Sequence, residues 1–361
     1  MNCIYHTPLL ISALPPLLGA EFVLGVLGNG LALWIFLFRL KPWKSSTVLL
    51  FNLSLADFLL NVALPFRASY YSAGLTWHFS PAFCNISLFL LAMNRSGSIF
   101  FLTAVAVDRY VRVVHPHHAL NSLSVVRAAC GAAGLWLLTF SMTAHLLALP
   151  RPNATDCESF KINSGGLDVV HFWHRSLFLL SFFLPLAVIV FCTCSIVAHL
   201  RRRQLARDAR IRKALWLLMV VVVVFAVCFL PSNVTQLLIW LKEGSIAGVL
   251  SGTKACGAME DLNTAFYLTI SLTYLNSALD PVVFYFSIPP SGTCAGGPCV
   301  WGETPATRRP PRSWTLSLSA SWEAKQSLLF PGIYLATYLS MLSHSRATVM
   351  VCLADKDNDR M

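Results

Sequence analysis

The sequence predicts an all-α membrane protein, a seven-transmembrane helix bundle with its N-terminus extracellular and its C-terminus cytoplasmic. Three observations carry that prediction. Of 361 residues, 56% are hydrophobic and only 12% charged, and the mean hydropathy is +0.64; a water-soluble chain of this length carries about twice as much charge. Seven segments each approach or exceed the roughly 20 apolar residues that span hydrocarbon. Lysine and arginine gather in alternate links between them, which orients the bundle.

The first crossing, 12–38, follows an extracellular stretch, 1–11, and begins ISALPPLLGAEF. Without a basic leader or small-residue cleavage site it reads as a retained helix rather than a signal peptide. FRLKPWK, with three basic residues, then marks a cytoplasmic link. The second crossing, 47–70, contains Asp57; the third, 86–112, contains Arg95 and ends near Arg109; the fourth, 127–149, contains Trp136. Crossings five, 174–199, and six, 213–240, flank RRRQLARDARIRK, a basic run with one aspartate. That run lies in the cytosol, where it can attract anionic membrane lipid or dock a partner protein. No nucleic-acid partner is expected. Pro231 in crossing six and Pro281 in crossing seven, 261–287, free backbone carbonyls and favour local kinks. Residues 12–287 thus form the membrane domain and 288–361 an atypical cytoplasmic tail. There TCAGGPCVWGETPATRRPPRSW disfavours continuous helix. The later LLFPGIYLATYLSML contains Pro331 and is short for a further crossing.

On the outer face, Asn153-Ala-Thr155 is a glycosylation sequon, whereas Asn85 and Asn233 head sequons hidden by the membrane. Cys84 and Cys157 both fall at the outer surface, where a disulfide would tie the second outer loop to helix three; free thiols are the alternative. Cys3 and Cys256 are a second candidate pair.

Buried charge is the main functional signal. At the rise of an α-helix, Arg95 lies about 16 Å inward of Cys84 and about 21 Å outward of Arg109. An arginine at that depth is expensive against lipid and should face the bundle interior or a water-filled cavity. Its guanidinium stays protonated and presents a rigid fork suited to a carboxylate. The functional reading is an outward-facing pocket for an organic anion; the alternative is a structural ion pair with Glu21, Glu260 or Asp261. Asp57 poses the same problem with opposite sign. Asn29, Ser98, Asn276 and Asp280 fall at depths that can surround it. Such a cluster can hold waters, hold a sodium ion at Asp57, Ser98, Asn276 and Asp280, or let two carboxylates share a proton; a static packing network is the alternative. At the inner end, Asp108 can pair with Arg109 and fix its rotamer.

Together, GNGLALW (28–34), LSLAD (53–57), DRY (108–110), Trp136, CFLP (228–231) and NSALDPVVF (276–284), with the two loop cysteines, resemble the rhodopsin-class G-protein-coupled receptors. Within that class, FNLSLADFLLNVALPFRASYY and LAMNRSGSIFFLTAVAVDRYVRVVHPHHALN resemble the hydroxycarboxylic acid receptors and the related oxoeicosanoid receptor, over roughly residues 10 to 290. The resemblance implies a multi-pass plasma-membrane receptor, not an enzyme. Its ligand would be a small hydroxycarboxylic acid or an oxidised fatty acid, its partner a heterotrimeric G protein of the inhibitory class that lowers cyclic AMP. No cofactor is implied beyond an allosteric sodium ion. Carried across residue by residue, Arg95 anchors the ligand carboxylate, Ser159 and Phe160 cap the pocket, Phe266 and Tyr274 line it, and Arg67 helps focus anions. The signalling switch falls on Asn29, Asp57, Ser98, Asp108, Arg109, Tyr110, Phe225, Phe229, Pro231, Asn276, Asp280, Pro281 and Phe284.

The chain also departs from these relatives. Glu158 makes the entrance less welcoming to anions, and Asn163 stands where one branch has an extra loop cysteine. Outer helix six offers Asn233 and Gln236 but no arginine, which weakens a direct assignment to the lactate-responsive branch, whereas FRASYY favours the oxoeicosanoid branch. Phe229 replaces the tryptophan common in the class, in agreement with the acid receptors. Phe284 lacks the hydroxyl of the usual tyrosine, and Tyr285 leaves the helix about 100° away. An organic-anion transporter is the different-class alternative, but no internal repeat supports it. No nucleophile and base form a catalytic constellation. His171 and His174 are read as loop contacts rather than metal ligands.

Overall fold

The computed structural model describes residues 8–149, 155–158, 169–203, 209–246, 253–287, 293–294 and 297–298. The two cysteines of the second candidate pair, the sequon at Asn153, the caps Ser159 and Phe160, Asn163, and the side chains of His171 and His174 lie outside the described residues or side chains. So does the tail, apart from a two-residue antiparallel pairing of Thr293–Cys294 with Gly297–Pro298.

Seven helical rods account for the bundle. Helix α1, Pro8–Arg39, closes in a wide π turn at Ile35–Arg39 and stops where Leu40 becomes extended, just before Pro42. α2, Ser45–Ser72, starts where the Lys44 N–H donates to the Thr47 hydroxyl at 3.4 Å. α3, Pro81–Val114, is capped by Ser80, whose hydroxyl accepts from the Phe83 N–H at 3.3 Å, with proline at the first helical position where no N–H is needed. Ser124 caps α4 in the same way through the Arg127 N–H at 3.3 Å; α4 spans Val125–Thr143 and tightens into a 3₁₀ end at Ala144–Ala148. α5 is Val169–Arg203. α6 joins Ala209–Val224, a π turn at Phe225–Phe229 and Leu230–Ile246. α7 has two halves, Thr253–Ser271 and Asn276–Ser287. Six of these rods, α1 to α6, are long and apolar enough to cross a membrane; α7 is the seventh crossing, divided by its turn.

The helices run past the expected crossings at most ends, because backbone hydrogen bonding continues beyond the apolar stretch that sequence reveals. The prolines act less directly than expected. In α6 the Leu230 N–H reaches back to the Phe225 carbonyl, so the backbone widens just before Pro231 and the rod continues. In α7 the interruption lies at 272–275, where successive N–H groups bond three residues back, Thr273 to Ile270 and Tyr274 to Ser271. Pro281 sits inside the following half. Its missing N–H leaves the Ser277 carbonyl free, and Asn29 of α1 fills that vacancy, donating Nδ2 at 2.7 Å.

α3 runs through the centre, touching α2, α4, α5 and α6, while the inner half of α7 packs against α1, α2 and α6. Large apolar side chains such as Leu27, Val126, Leu137 and Leu184 point outward, where lipid is their solvent. Asn29, Asp57, Ser98, Asn276 and Asp280 are fully buried. The Cys84–Cys157 disulfide, with Cα atoms 5.7 Å apart, pins the second outer loop to the top of α3. The Trp77 N–H adds a bond to the Thr155 carbonyl at 2.8 Å.

Candidate functional site

An outer cavity opens among α2, α3, α4, α5 and α7, lined by Arg67, Leu88, Leu91, Arg95, Thr143, Phe178, Ser181, Phe266 and Tyr274 among others. Its volume is about 80 Å³. Arg95, only 5% exposed, supplies the deep positive charge. Its Cζ lies 3.6 Å from the centre of the Phe178 ring, a cation–π contact. Nη1 donates to Ser181 Oγ at 3.3 Å and Nη2 to Asn233 Oδ1 at 2.9 Å. Nε has no partner among the described residues. The ion-pair alternative is not realised there: the two salt bridges among the described residues both belong to Asp108, and neither carboxylate oxygen of Glu21 has a hydrogen-bond partner. A buried cation held by neutral groups retains the capacity to take an anion.

Arg67 also reaches the cavity wall, but its fork is occupied. Nη1 donates to the Cys157 carbonyl at 2.6 Å and Nη2 to the Tyr71 hydroxyl at 3.0 Å. Its charged centre lies 5.0 Å from the Tyr70 ring and 5.2 Å from the Tyr71 ring. The FRASYY stretch therefore clamps the disulfide-bonded loop onto α2. The Tyr70 hydroxyl donates to Glu158 at 3.5 Å, so this loop carboxylate is turned to a tyrosine.

Deeper, Asp57 gathers the polar core. Its Oδ1 accepts from Asn94 Nδ2 at 3.0 Å, Ser98 Oγ at 3.0 Å and Asn276 Nδ2 at 3.3 Å. Asp280 lies beside it. Asp57 Oδ2, both Asp280 oxygens and Asn276 Oδ1 have no donor and are buried. Two adjacent carboxylates in this setting call for a shared proton or a cation. The vacant oxygens, all hard acceptors, fit a small hard cation such as sodium.

At the inner end Asp108 has two arginine neighbours. Arg112 Nε donates to both carboxylate oxygens, at 2.9 and 3.0 Å, whereas Arg109 Nε stands at 3.7 Å. Ser46 of α2 donates to Asp108 at 2.9 Å, and Arg112 donates to Ser45 at 2.9 Å. The Asp108–Arg109 pair expected from DRY is thus present but loose, because the next turn of α3 supplies a better-placed guanidinium. Tyr110 bonds His115 at 3.1 Å.

Residues 28–284 match the family model of the 7 transmembrane receptor (rhodopsin family). The chain belongs to that family. It is a multi-pass receptor of the plasma membrane, partnered by a ligand and a heterotrimeric G protein, and not an enzyme. It is similar to hydroxycarboxylic acid receptor 2 of Homo sapiens, 49% identical over 292 residues, or 80% of this chain and 77% of that one. Hydroxycarboxylic acid receptor 1 of Homo sapiens is 48% identical over 282 residues, covering 76% and 77%. Oxoeicosanoid receptor 1 of Homo sapiens is 43% identical over 281 residues, covering 78% and 71%. Overall identity is higher to these two acid receptors than to the oxoeicosanoid receptor.

The receptor brings Arg95, Arg67, Phe266 and Tyr274 to one cavity, and Ser98, Asn276 and Asp280 to Asp57, whereas the Asn29 amide is spent on the Gly25 and Ser277 carbonyls. Phe225 and Phe229 are fully buried with centroids 5.4 Å apart, and Phe284 meets Phe36 edge-on at 5.7 Å. Sequence reasoning missed Asn94, Phe178 and Ser181. Asn94 was discoverable as a second polar residue beside Arg95; a phenylalanine and a serine in an apolar helix carry no such signal.

Proposed function

We propose that this receptor captures a small hydroxycarboxylic acid through Arg95 and signals through an inhibitory G protein, lowering cyclic AMP. The observation that carries the reading is a buried arginine, in contact with Phe178 and without a carboxylate partner among the described residues, on the wall of an outer cavity. A ligand carboxylate would form charge-assisted bonds with its fork, and Phe266 and Tyr274 would enclose the carbon part. Ser159 and Phe160 would close the pocket from the loop. The small acid is preferred to a long one because identity is higher to the hydroxycarboxylic acid receptors, 49% and 48%, than to the oxoeicosanoid receptor, 43%. The oxidised fatty acid is the second reading, supported by FRASYY and by the oxoeicosanoid relative. Capture would bias the Asp57 and Asp280 region, where a sodium ion would sit, and open the inner face at Arg109 for the G protein. The basic run at 201–213 would hold anionic lipid at that face.

The test is a panel of lactate, 3-hydroxybutyrate, their methyl esters and an oxidised twenty-carbon acid, applied to cells expressing the chain, with cyclic AMP as readout before and after toxin-catalysed ADP-ribosylation of inhibitory α subunits. A toxin-sensitive fall with free small acids and none with the esters supports the reading. Activity confined to the long acid selects the second one, and equal activity of acids and esters removes carboxylate capture.

A further inference from the structure

Asn233 stands directly behind the anchor. It is completely buried on α6, outside the cavity wall, and its amide makes two bonds that no other side chain combines among the described hydrogen bonds. Oδ1 accepts from Arg95 Nη2 at 2.9 Å, and Nδ2 donates to the Phe229 carbonyl at 2.7 Å. Phe229 closes the π turn, and its carbonyl receives a second side-chain bond from Ser232 Oγ at 3.1 Å. Two residues later comes Pro231, which cannot donate a backbone bond. The backbone here is wider than an α-helix, closed by the Leu230 N–H on the Phe225 carbonyl, and the Phe229 carbonyl at its end takes two side-chain donors besides, the kind of segment that has a second arrangement available. Phe229 packs on Phe225, which stacks on Phe182 of α5 at 6.0 Å.

We propose that Asn233 is the positioning residue that couples occupancy of Arg95 to α6. This rests on the Arg95 reading above. Both two-point forks of a guanidinium, Nη1 with Nη2 and Nε with Nη2, run through Nη2, the nitrogen tied to Asn233. A carboxylate that docks with two points from the cavity draws Nη2 toward itself and weakens the bond to Oδ1. The amide then turns, its donation to the Phe229 carbonyl changes, and the π turn is released toward its alternative arrangement. A ligand moves an equilibrium only by its differential interaction with two states, and the Arg95–Asn233 bond is a contact that differs between them.

The experiment uses the purified full chain in lipid nanodiscs. Stabilisation against heat by lactate and 3-hydroxybutyrate reads binding, and acid-stimulated nucleotide exchange on a purified inhibitory heterotrimer reads coupling. N233L, which removes both amide bonds, should release the π turn without ligand, so that basal exchange rises and the further fold-stimulation by acid shrinks about tenfold or more, while apparent acid affinity stays within about threefold. N233D should lose acid binding, because an aspartate there occupies Arg95 as an ion pair. N233L that signals like the wild type, N233L that loses binding in step with signalling, or N233D that binds acid normally each overturns the coupling role. R95A separates the two readings: if it loses acid binding while N233L signals normally, the anchor stands and the link falls. If R95A binds acid as the wild type does, or if neither acid stabilises the wild type, both fall.

Discussion

Arg95 and Arg67 are equally buried and lie on the same cavity, yet their neighbours give them different tasks. Arg67 spends its donors on the Cys157 carbonyl and the Tyr71 hydroxyl, so it is a clamp for the loop. R67A should lower the stability of the purified receptor by about 2 kcal/mol, the scale of a hydrogen bond from a charged group. R67K should recover only part, because an ammonium cannot span both acceptors. A thermal unfolding midpoint unchanged in R67A would contradict the clamp. Asp57 offers a second test at this scale. D57N should abolish any sodium dependence of thermal stability measured against potassium at equal ionic strength; an undiminished sodium effect in D57N would remove the ion from this site. Arg95 and Asp57 were legible in the sequence because ionised groups are so costly in an apolar helix that each one marks a site, and the polar residues around Asp57 were legible with it. The partners of Arg95 were not. Phe178 and Ser181 are ordinary in such a helix, and only packing reveals that one meets the fork and the other accepts from it.

Between elements, the contact of α1 with the inner half of α7 depends on glycine. A Cβ at Gly28 would stand 2.8 Å from the Pro281 ring, whereas a Cβ at Gly30 would meet Phe58 at 3.7 Å. G28A should therefore destabilise the receptor by about 1–3 kcal/mol through overpacking. G30A should be neutral or slightly stabilising, since alanine is the better helix former. Equal unfolding midpoints for the two variants would contradict this account of the interface. Phe284, beside Phe36 at the same end, lacks the hydroxyl expected at its position. F284Y should raise agonist-stimulated nucleotide exchange, and no gain would mean that this receptor signals without it. The seven crossings were readable from apolar length and basic links. The turn at 272–275 was not, since no proline or glycine marks it and its backbone bonds arise within an apolar stretch. A kink was expected at Pro281 instead, but Asn29 satisfies the carbonyl that Pro281 frees, and the inner half of α7 remains helical.

Across the whole molecule, three polar layers run through the bundle from outside to inside: the Arg95 cavity, the Asp57 core and the Asp108 latch. α3 contributes to all three, through Arg95, then Asn94 and Ser98, then Asp108, so one central rod carries the anchor, the middle and the inner gate. That arrangement joins an outer event to an inner surface without requiring the ligand to travel. The most direct test is G-protein activation by lactate and 3-hydroxybutyrate in cells bearing wild-type receptor or R95A at matched surface density. The account predicts a concentration-dependent response in the wild type that falls by at least about a hundredfold in potency in R95A, the scale of losing a bidentate charged contact. An R95A receptor that answers the acids as the wild type does would contradict it.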